Sequence, residues 1–146
     1  MARKEDGKTN EMPEEVAVFE LNKEITLEEY EQLRHGLIPN SMEDKWFIYL
    51  ESDKLYFHRS WTGNCTYITT IQRLKNVYML GDTLVNRNPD QYKSISDQED
   101  KEILNYLVDR LLLGKKVPFP SEDSSLPENH NPLKHNIVGY GRANNE

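Results

Sequence analysis

The sequence contains a single cysteine, Cys65, and has no hydrophobic run long enough to cross a bilayer. One cysteine excludes an internal disulfide framework and the paired spacings of zinc fingers. The N-terminus leads into no apolar run, so no secretory signal is expected, and no stretch reaches the roughly 20 apolar residues of a transmembrane helix. We therefore expect a soluble, cytoplasmic protein with no membrane partner.

Basic side chains are also scarce. The chain has 18 Lys and Arg residues against 25 Asp and Glu residues, which gives a formal net charge of −7. Proteins that grip nucleic acid cluster Lys and Arg against the phosphates, so this acidic composition argues against a nucleic-acid partner. It does not exclude one local basic pocket.

Motifs for cofactors and metals are missing as well. There is no phosphate-cradling glycine loop and no dinucleotide-binding fingerprint, so no cofactor is expected. His130 and His135 are five residues apart with Pro132 between them, which is poor spacing for a helical metal face. We expect no metal site.

The polar composition comes from the ends of the chain. Only 36% of the residues are hydrophobic, and the mean hydropathy is −0.81. Both tryptophans and most tyrosines and phenylalanines nevertheless lie between Trp46 and Tyr92. An ordinary core flanked by polar tails explains this distribution. We predict a disordered N-terminal tail at 1–14, a single α+β domain at 15–119 and a mostly disordered C-terminal tail at 120–146.

Alternating apolar and polar residues predict an antiparallel sheet. Short polar connections separate the alternating segments, and a parallel crossover would need a dozen residues or more. We predict a meander of about five or six strands. The predicted strands are 16–21, 45–50, 55–60, 65–71, 76–80 and 83–85, with hairpin turns at 51–54 and at Gly81-Asp82.

Two helices are predicted beside this sheet. Capping-box spacings occur at 26–29 and at 96–99, where a hydroxyl and a carboxylate satisfy N–H groups of the first turn. The first begins a short N-terminal helix that Gly36 closes. The second begins a long C-terminal helix with an apolar stripe over 103–112, ended by Gly114. The fold class is α+β.

The densest run of functional side chains is 58–63, at a predicted strand end. Arg59 can pair with phosphate or carboxylate through its planar fork, and Trp61 can stack on a base. Arg87 lies in a loop before a helix N-terminus, a position that suits anions. The alternative is structural: Trp61 fills the core, and His58 and Arg59 lie on a solvated face. The candidate ligand-binding residues are Trp46, His58, Arg59, Ser60, Trp61, Thr62 and Arg87.

Two other functions stay open. A small hydrolase or transferase could use His58, Ser60 and Arg59, although no orienting carboxylate or nucleophile elbow accompanies them. Cys65, inside a predicted strand, is more typical of a small buried residue than of a nucleophile. The chain could instead be a subunit or antitoxin-like protein whose acidic surface meets a basic protein partner. No catalytic residue is assigned.

Four segments carry a resemblance to a known family. Segment 41–49, which contains Asp-Lys-Trp-Phe-Ile, and segment 55–63, which contains His-Arg-Ser-Trp-Thr-Gly, resemble a family of small uncharacterised prokaryotic proteins, as do 86–92 and 109–114. The resemblance covers residues 38–114. Similar segments accompany ADP-ribose-processing domains, so the resemblance implies a nucleotide-type ligand or a partner in that chemistry.

Overall fold

The protein combines a five-stranded antiparallel sheet with two helices. The structure, a computed structural model, describes residues 1–41, 44–94 and 96–117. The elements in chain order are a 3₁₀ turn (Lys4–Asp6), β1 (Val16–Thr26), α1 (Leu27–Leu33), β2 (Trp46–Glu51), β3 (Lys54–Arg59), β4 (Cys65–Arg73), β5 (Val77–Asn86), α2 (Asp97–Leu107) and a π-helical turn (Val108–Leu112). The predicted α+β class is confirmed.

The strands lie in the order β1-β5-β4-β3-β2, and all neighbours are antiparallel. The predicted meander therefore holds for β2 to β5, which are joined by short turns. The first strand does not continue it, because β1 adds to the opposite edge of the sheet, beside β5. The loop between α1 and β2 carries the chain back to the other edge.

The hairpin predicted at Gly81-Asp82 is wrong. Residues 77–86 form the single strand β5, which pairs with β1 on one side and β4 on the other. Opposite this point, two steps of β4 (69–71) face three steps of β5 (80–83), which is the pattern of a β-bulge. Gly81 and Asp82 accommodate this bend within the strand. The same two residue types are common in turns, so composition alone could not distinguish a bulge from a hairpin.

The short helix α1 begins where the sequence predicts and ends at Leu33, three residues before Gly36. The Glu29 N–H donates to Thr26 Oγ1, and the Thr26 N–H donates to Glu29 Oε1, each at 3.0 Å. This reciprocal pair is a capping box. Gly36 follows the helix with φ +66°, a left-handed conformation that glycine adopts without steric cost.

The C-terminal helix is only partly regular. The Glu99 N–H donates to Ser96 Oγ at 3.1 Å, so the predicted cap is present. The α-helical part ends at Leu107, and the next five residues form the π-helical turn, which gives 16 helical residues in all. Gly114 follows with φ +71°, as predicted. The prediction of one long α-helix to that glycine is therefore confirmed only in part.

One main core lies between the sheet and the helices. We call the sheet face that packs on α1 and α2 the inner face and the opposite one the outer face. The largest fully buried side chains are Ile25, Leu33, Trp46, Phe47, Ile48, Leu55, Phe57, Tyr67, Leu80, Ile103, Leu104 and Leu107. Of these, Phe47 belongs to a separate small cluster with Ala2 and Tyr49. No helix within the described residues is long and apolar enough to cross a membrane.

The N-terminal segment packs on the protein, although we expected residues 1–14 to be disordered. Ala2 is 2% exposed, and its N–H donates to the His35 carbonyl at 2.8 Å. Further along, the Asn10 N–H donates to the Gly63 carbonyl at 2.8 Å. Composition could not reveal these contacts, because small and polar residues here bond to backbone groups that are distant in sequence. The predicted tail at 120–146 lies outside the described residues.

Candidate functional site

A cleft with a volume of about 340 Å³ lies where the turn after β3 meets the loop between β5 and α2. Its lining residues are Lys45, Arg59, Trp61, Thr62, Asn64, Asp90, Gln91, Tyr92 and Lys93. Three of these side chains are cationic and one is anionic. The cleft is thus locally positive in a chain of net charge −7, and it falls within the size range of small-molecule sites.

Arg59 is the central cation of this cleft. It ends β3 directly opposite Trp46 of β2, and its Cζ atom lies 4.8 Å from the centroid of that indole ring. Among the described residues, none forms a hydrogen bond or an ion pair with its guanidinium group. Burial lowers the pKa of Arg59 to about 10, so the group is still charged at neutral pH. A desolvated cation without an acceptor is unfavourable until an anion pairs with it.

Arg87 has the opposite environment. Its Nη2 atom lies 2.7 Å from both Asp97 Oδ1 and Asp100 Oδ2, and its Nη1 donates to the Ser94 carbonyl at 3.1 Å. Burial alone would lower the pKa of Arg87, but the two carboxylates outweigh it and raise the pKa. Arg87 does not line the cleft. Its contacts tie the loop before α2 to that helix, and they do not support the ligand-binding role predicted for it.

The two tryptophans have different positions. Trp46 is 1% exposed and lies in the core, where its ring stacks on Tyr67 and supports Arg59 from behind. Trp61 is 53% exposed at the cleft, and the Lys45 Nζ atom lies 4.1 Å from its ring centroid. Trp61 therefore lies exposed at the cleft instead of filling the core. Trp46 contacts Arg59 but does not line the cleft.

Backbone hydrogen bonds set the shape of the turn that carries Trp61. The Arg59 N–H donates to the Asn64 carbonyl and the Gly63 N–H to the Arg59 carbonyl, both at 2.8 Å. Gly63 has φ +83°, which favours glycine. The Ser60 hydroxyl donates to the Asp44 carbonyl at 2.7 Å, and Thr62 Oγ1 accepts from the Asn64 N–H at 3.1 Å. Both predicted hydroxyl groups thus shape the turn, and only Thr62 also lines the cleft.

His58 lies on the outer face, opposite to Arg59, because neighbouring residues of a strand point to opposite sides. Its Nδ1 atom is 3.0 Å from the Gly63 carbonyl, and its Nε2 atom is 3.4 Å from the Tyr49 hydroxyl. The carbonyl can only accept, so Nδ1 carries the proton and Nε2 accepts. These contacts give no support to a His58–Ser60 catalytic pair, since the hydroxyl of Ser60 is bonded to Asp44.

Burial lowers the pKa of His58, and the nearby positive charge of Lys4 lowers it further. The hydrogen bond with the Gly63 carbonyl raises the pKa, but burial has the larger effect. In the unfolded chain His58 therefore binds a proton near pH 6.5, whereas in the folded chain it binds one only at a lower pH. We expect the free energy of unfolding to fall as the pH drops below about 6.5, by at most about 1.4 kcal/mol per pH unit from this group.

Urea unfolding between pH 7.5 and 5, with His58→Asn as the comparison, measures this effect. Asn keeps a donor near the Gly63 carbonyl but does not titrate. The variant will be less stable throughout, because it loses packing, but its stability should depend less on pH. If the free energy of unfolding depended on pH equally in the two proteins, the lowered pKa of His58 would be contradicted.

A buried polar cluster stands behind the cleft. Asp100 is fully buried, and its Oδ1 atom accepts from the Tyr67 hydroxyl at 2.8 Å and from the Tyr92 hydroxyl at 2.6 Å. Its Oδ2 atom accepts from Ser94 Oγ at 3.1 Å and from Arg87. Burial raises the pKa of both phenols, and the Asp100 carboxylate raises it further, so both stay protonated and donate. Tyr92 joins this cluster to the cleft wall.

Sequence reasoning missed several cleft residues. Lys45 could have been found by extending the hairpin register one step past Trp46, which places it beside Ser60; the Ser60 N–H donates to the Lys45 carbonyl at 2.9 Å. Asp90 and Tyr92 lie within segment 86–92, from which only Arg87 was proposed as a ligand-binding residue, and Lys93 follows that segment. The contact of their loop with the turn arises only in the tertiary structure. Asp100 resembled an ordinary acidic residue in the first turn of a helix.

The other predicted chemistry is limited. Cys65 is buried, as the sequence indicates, and burial raises the pKa of its thiol to about 12. The thiol is therefore protonated at neutral pH and a poor nucleophile. Within residues 1–41, 44–94 and 96–117, no group of three or more His, Cys, Asp or Glu side chains is arranged to hold a metal ion.

Comparison of the chain with models of protein families, with curated proteins and with solved structures finds no match. The resemblance to small prokaryotic proteins with similar segments therefore stays a prediction.

Proposed function

We propose that the protein is a binding module for a phosphate-bearing, nucleotide-like ligand, which it takes up in the cleft beside Arg59. One observation carries this proposal: the Arg59 guanidinium is partly desolvated, lacks an anionic partner among the described residues and lines the cleft. Proteins rarely bury a cation without pairing it, because the lost hydration must be replaced. A phosphate group supplies the missing partner.

The other cleft residues fit the remaining parts of such a ligand. Guanidinium binds phosphate through two parallel hydrogen bonds, and Lys45 and Lys93 add positive charge for a second phosphate. The exposed ring of Trp61 provides a stacking surface for a base. Asp90 can accept hydrogen bonds from ribose hydroxyls. The lining of the cleft thus includes side chains suited to the phosphates, the base and the ribose of one ligand.

Titration of the protein with ADP-ribose, ADP and adenosine tests this function. The phosphate-bearing compounds should change the tryptophan fluorescence saturably and raise the melting temperature. At a hundredfold excess over Kd, the stabilisation should be about 2.7 kcal/mol. Adenosine, which lacks phosphate, should bind far more weakly.

The control is Trp61→Phe, which should remove most of the fluorescence response while keeping a thermal shift. This outcome would place the ligand beside Trp61. No thermal shift at millimolar ADP-ribose and ADP, or binding of adenosine as tight as that of ADP, would refute the proposed function.

A further inference from the structure

The N-terminal segment is bonded to the turn that carries Trp61. Three successive carbonyl groups of this turn accept hydrogen bonds from two residues of the segment. Lys8 Nζ donates to the carbonyl of residue 61 at 2.8 Å, Asn10 Nδ2 to that of residue 62 at 3.0 Å, and the Asn10 N–H to that of residue 63 at 2.8 Å. Asn10 Nδ2 also lies 3.2 Å from Asn64 Oδ1.

We propose that Asn10 is a positioning residue, which holds turn 60–64 in the shape that presents Arg59 and Trp61 to the ligand. The identity of the ligand depends on the proposed function, but the positioning of the turn by Asn10 does not. Asn10 itself lies outside the cleft and contacts it only through the turn.

The chemistry requires an amide side chain at this position. Both N–H groups of Asn10 Nδ2 are used, one for the Thr62 carbonyl and one for Asn64 Oδ1. A carboxylate of the same shape has no donor and would face two oxygen atoms. The effect on the turn is therefore specific to hydrogen-bond donation, and not to the size of the side chain.

The segment is itself fixed at its other end, so it can hold the turn in place. Ala2 is buried, and its N–H donates to the His35 carbonyl. Gly63 approaches the segment so closely that a Cβ atom added to it would lie 2.9 Å from Lys8 Cβ. Residues 2–10 thus connect the loop after α1 with the cleft turn across the outer face of the sheet.

The test compares Asn10→Asp with Asn76→Asp in the full chain. Both variants add one negative charge at an exposed asparagine, but the Asn76 side chain makes no hydrogen bond within the described part of the chain. In Asn10→Asp, amide hydrogen exchange at Gly63 should accelerate at least about tenfold, since the turn opens more often. Acrylamide quenching of Trp61 should increase, whereas the melting temperature should change little.

Ligand binding provides the second measurement. The Kd for ADP-ribose should rise about fivefold in Asn10→Asp, roughly the effect of one lost hydrogen bond, and should stay unchanged in Asn76→Asp. Unchanged exchange at Gly63 in Asn10→Asp would overturn the positioning role, whatever the ligand does. If the wild-type protein binds neither ADP-ribose nor ADP, the proposed function fails, while the exchange result still decides the role of Asn10.

Discussion

Replacing Asp100 with alanine is expected to lower the free energy of unfolding by about 3–5 kcal/mol, the usual cost of removing one partner from a buried ion pair. The carboxylate is fully buried and accepts hydrogen bonds from Tyr67, Tyr92 and Ser94 in addition to pairing with Arg87. Its loss leaves several buried donors without an acceptor. Urea denaturation followed by circular dichroism measures the change.

Asp97→Ala is the matched control for this substitution. Asp97 lies at the same 2.7 Å from Arg87 Nη2, but its side chain is 51% exposed. Exposed ion pairs contribute little because water and salt screen them, so the control should cost no more than about 1 kcal/mol. Equal losses for the two variants would show that burial of the carboxylate does not determine the effect.

Arg59→Leu is expected to weaken the binding of ADP-ribose at least about 100-fold, because hydrogen bonds between charged groups contribute about 1.5–3 kcal/mol each. The same substitution should leave the free energy of unfolding unchanged or raise it. In the free protein the guanidinium is partly desolvated without an anionic partner among the described residues, and leucine removes that cost while keeping contact with Trp46. Calorimetric titration and urea denaturation measure the two quantities.

Arg73→Leu is the control for this second prediction. Its guanidinium also lies over an aromatic ring, with Cζ 5.6 Å from the Tyr78 centroid, but Arg73 does not line the cleft. Its loss should not change ADP-ribose affinity. If Arg59→Leu bound ADP-ribose like the wild type, Arg59 would not be the phosphate ligand. If it unfolded instead, Arg59 would be structural.

The contrast between Arg59 and Arg87 explains why the candidate site could be predicted only in part. Arg59 is the last residue of β3 and Arg87 directly follows β5, and the sequence analysis proposed both as anion-binding residues. Arg87 meets two carboxylates from α2, whereas Arg59 meets the face of Trp46 and the open cleft. These partners are distant in sequence, so no local pattern could separate the two cases.

The prediction for His58 failed to anticipate its position for a different reason. His58 and Arg59 are neighbours in the sequence, but strand geometry sends their side chains to opposite faces. The sequence analysis grouped them as one functional run. Phe57 is fully buried in the main core, so the alternation of β3 places Arg59 on the inner face and His58 on the outer face.

Local chemistry determined the elements that depend on neighbouring residues. The caps at Thr26 and Ser96 and the glycines after each helix were predictable because hydroxyl acceptors, backbone N–H donors and left-handed backbone act within one turn. The hairpin of β2 and β3 follows equally from alternation and a short connection. Only tertiary structure decided that β1 joins β5, that Gly81 lies in a bulge, and that Lys93 reaches the cleft beside Arg59. Those outcomes depend on groups brought together from distant parts of the chain, and their energy does not appear in any local pattern.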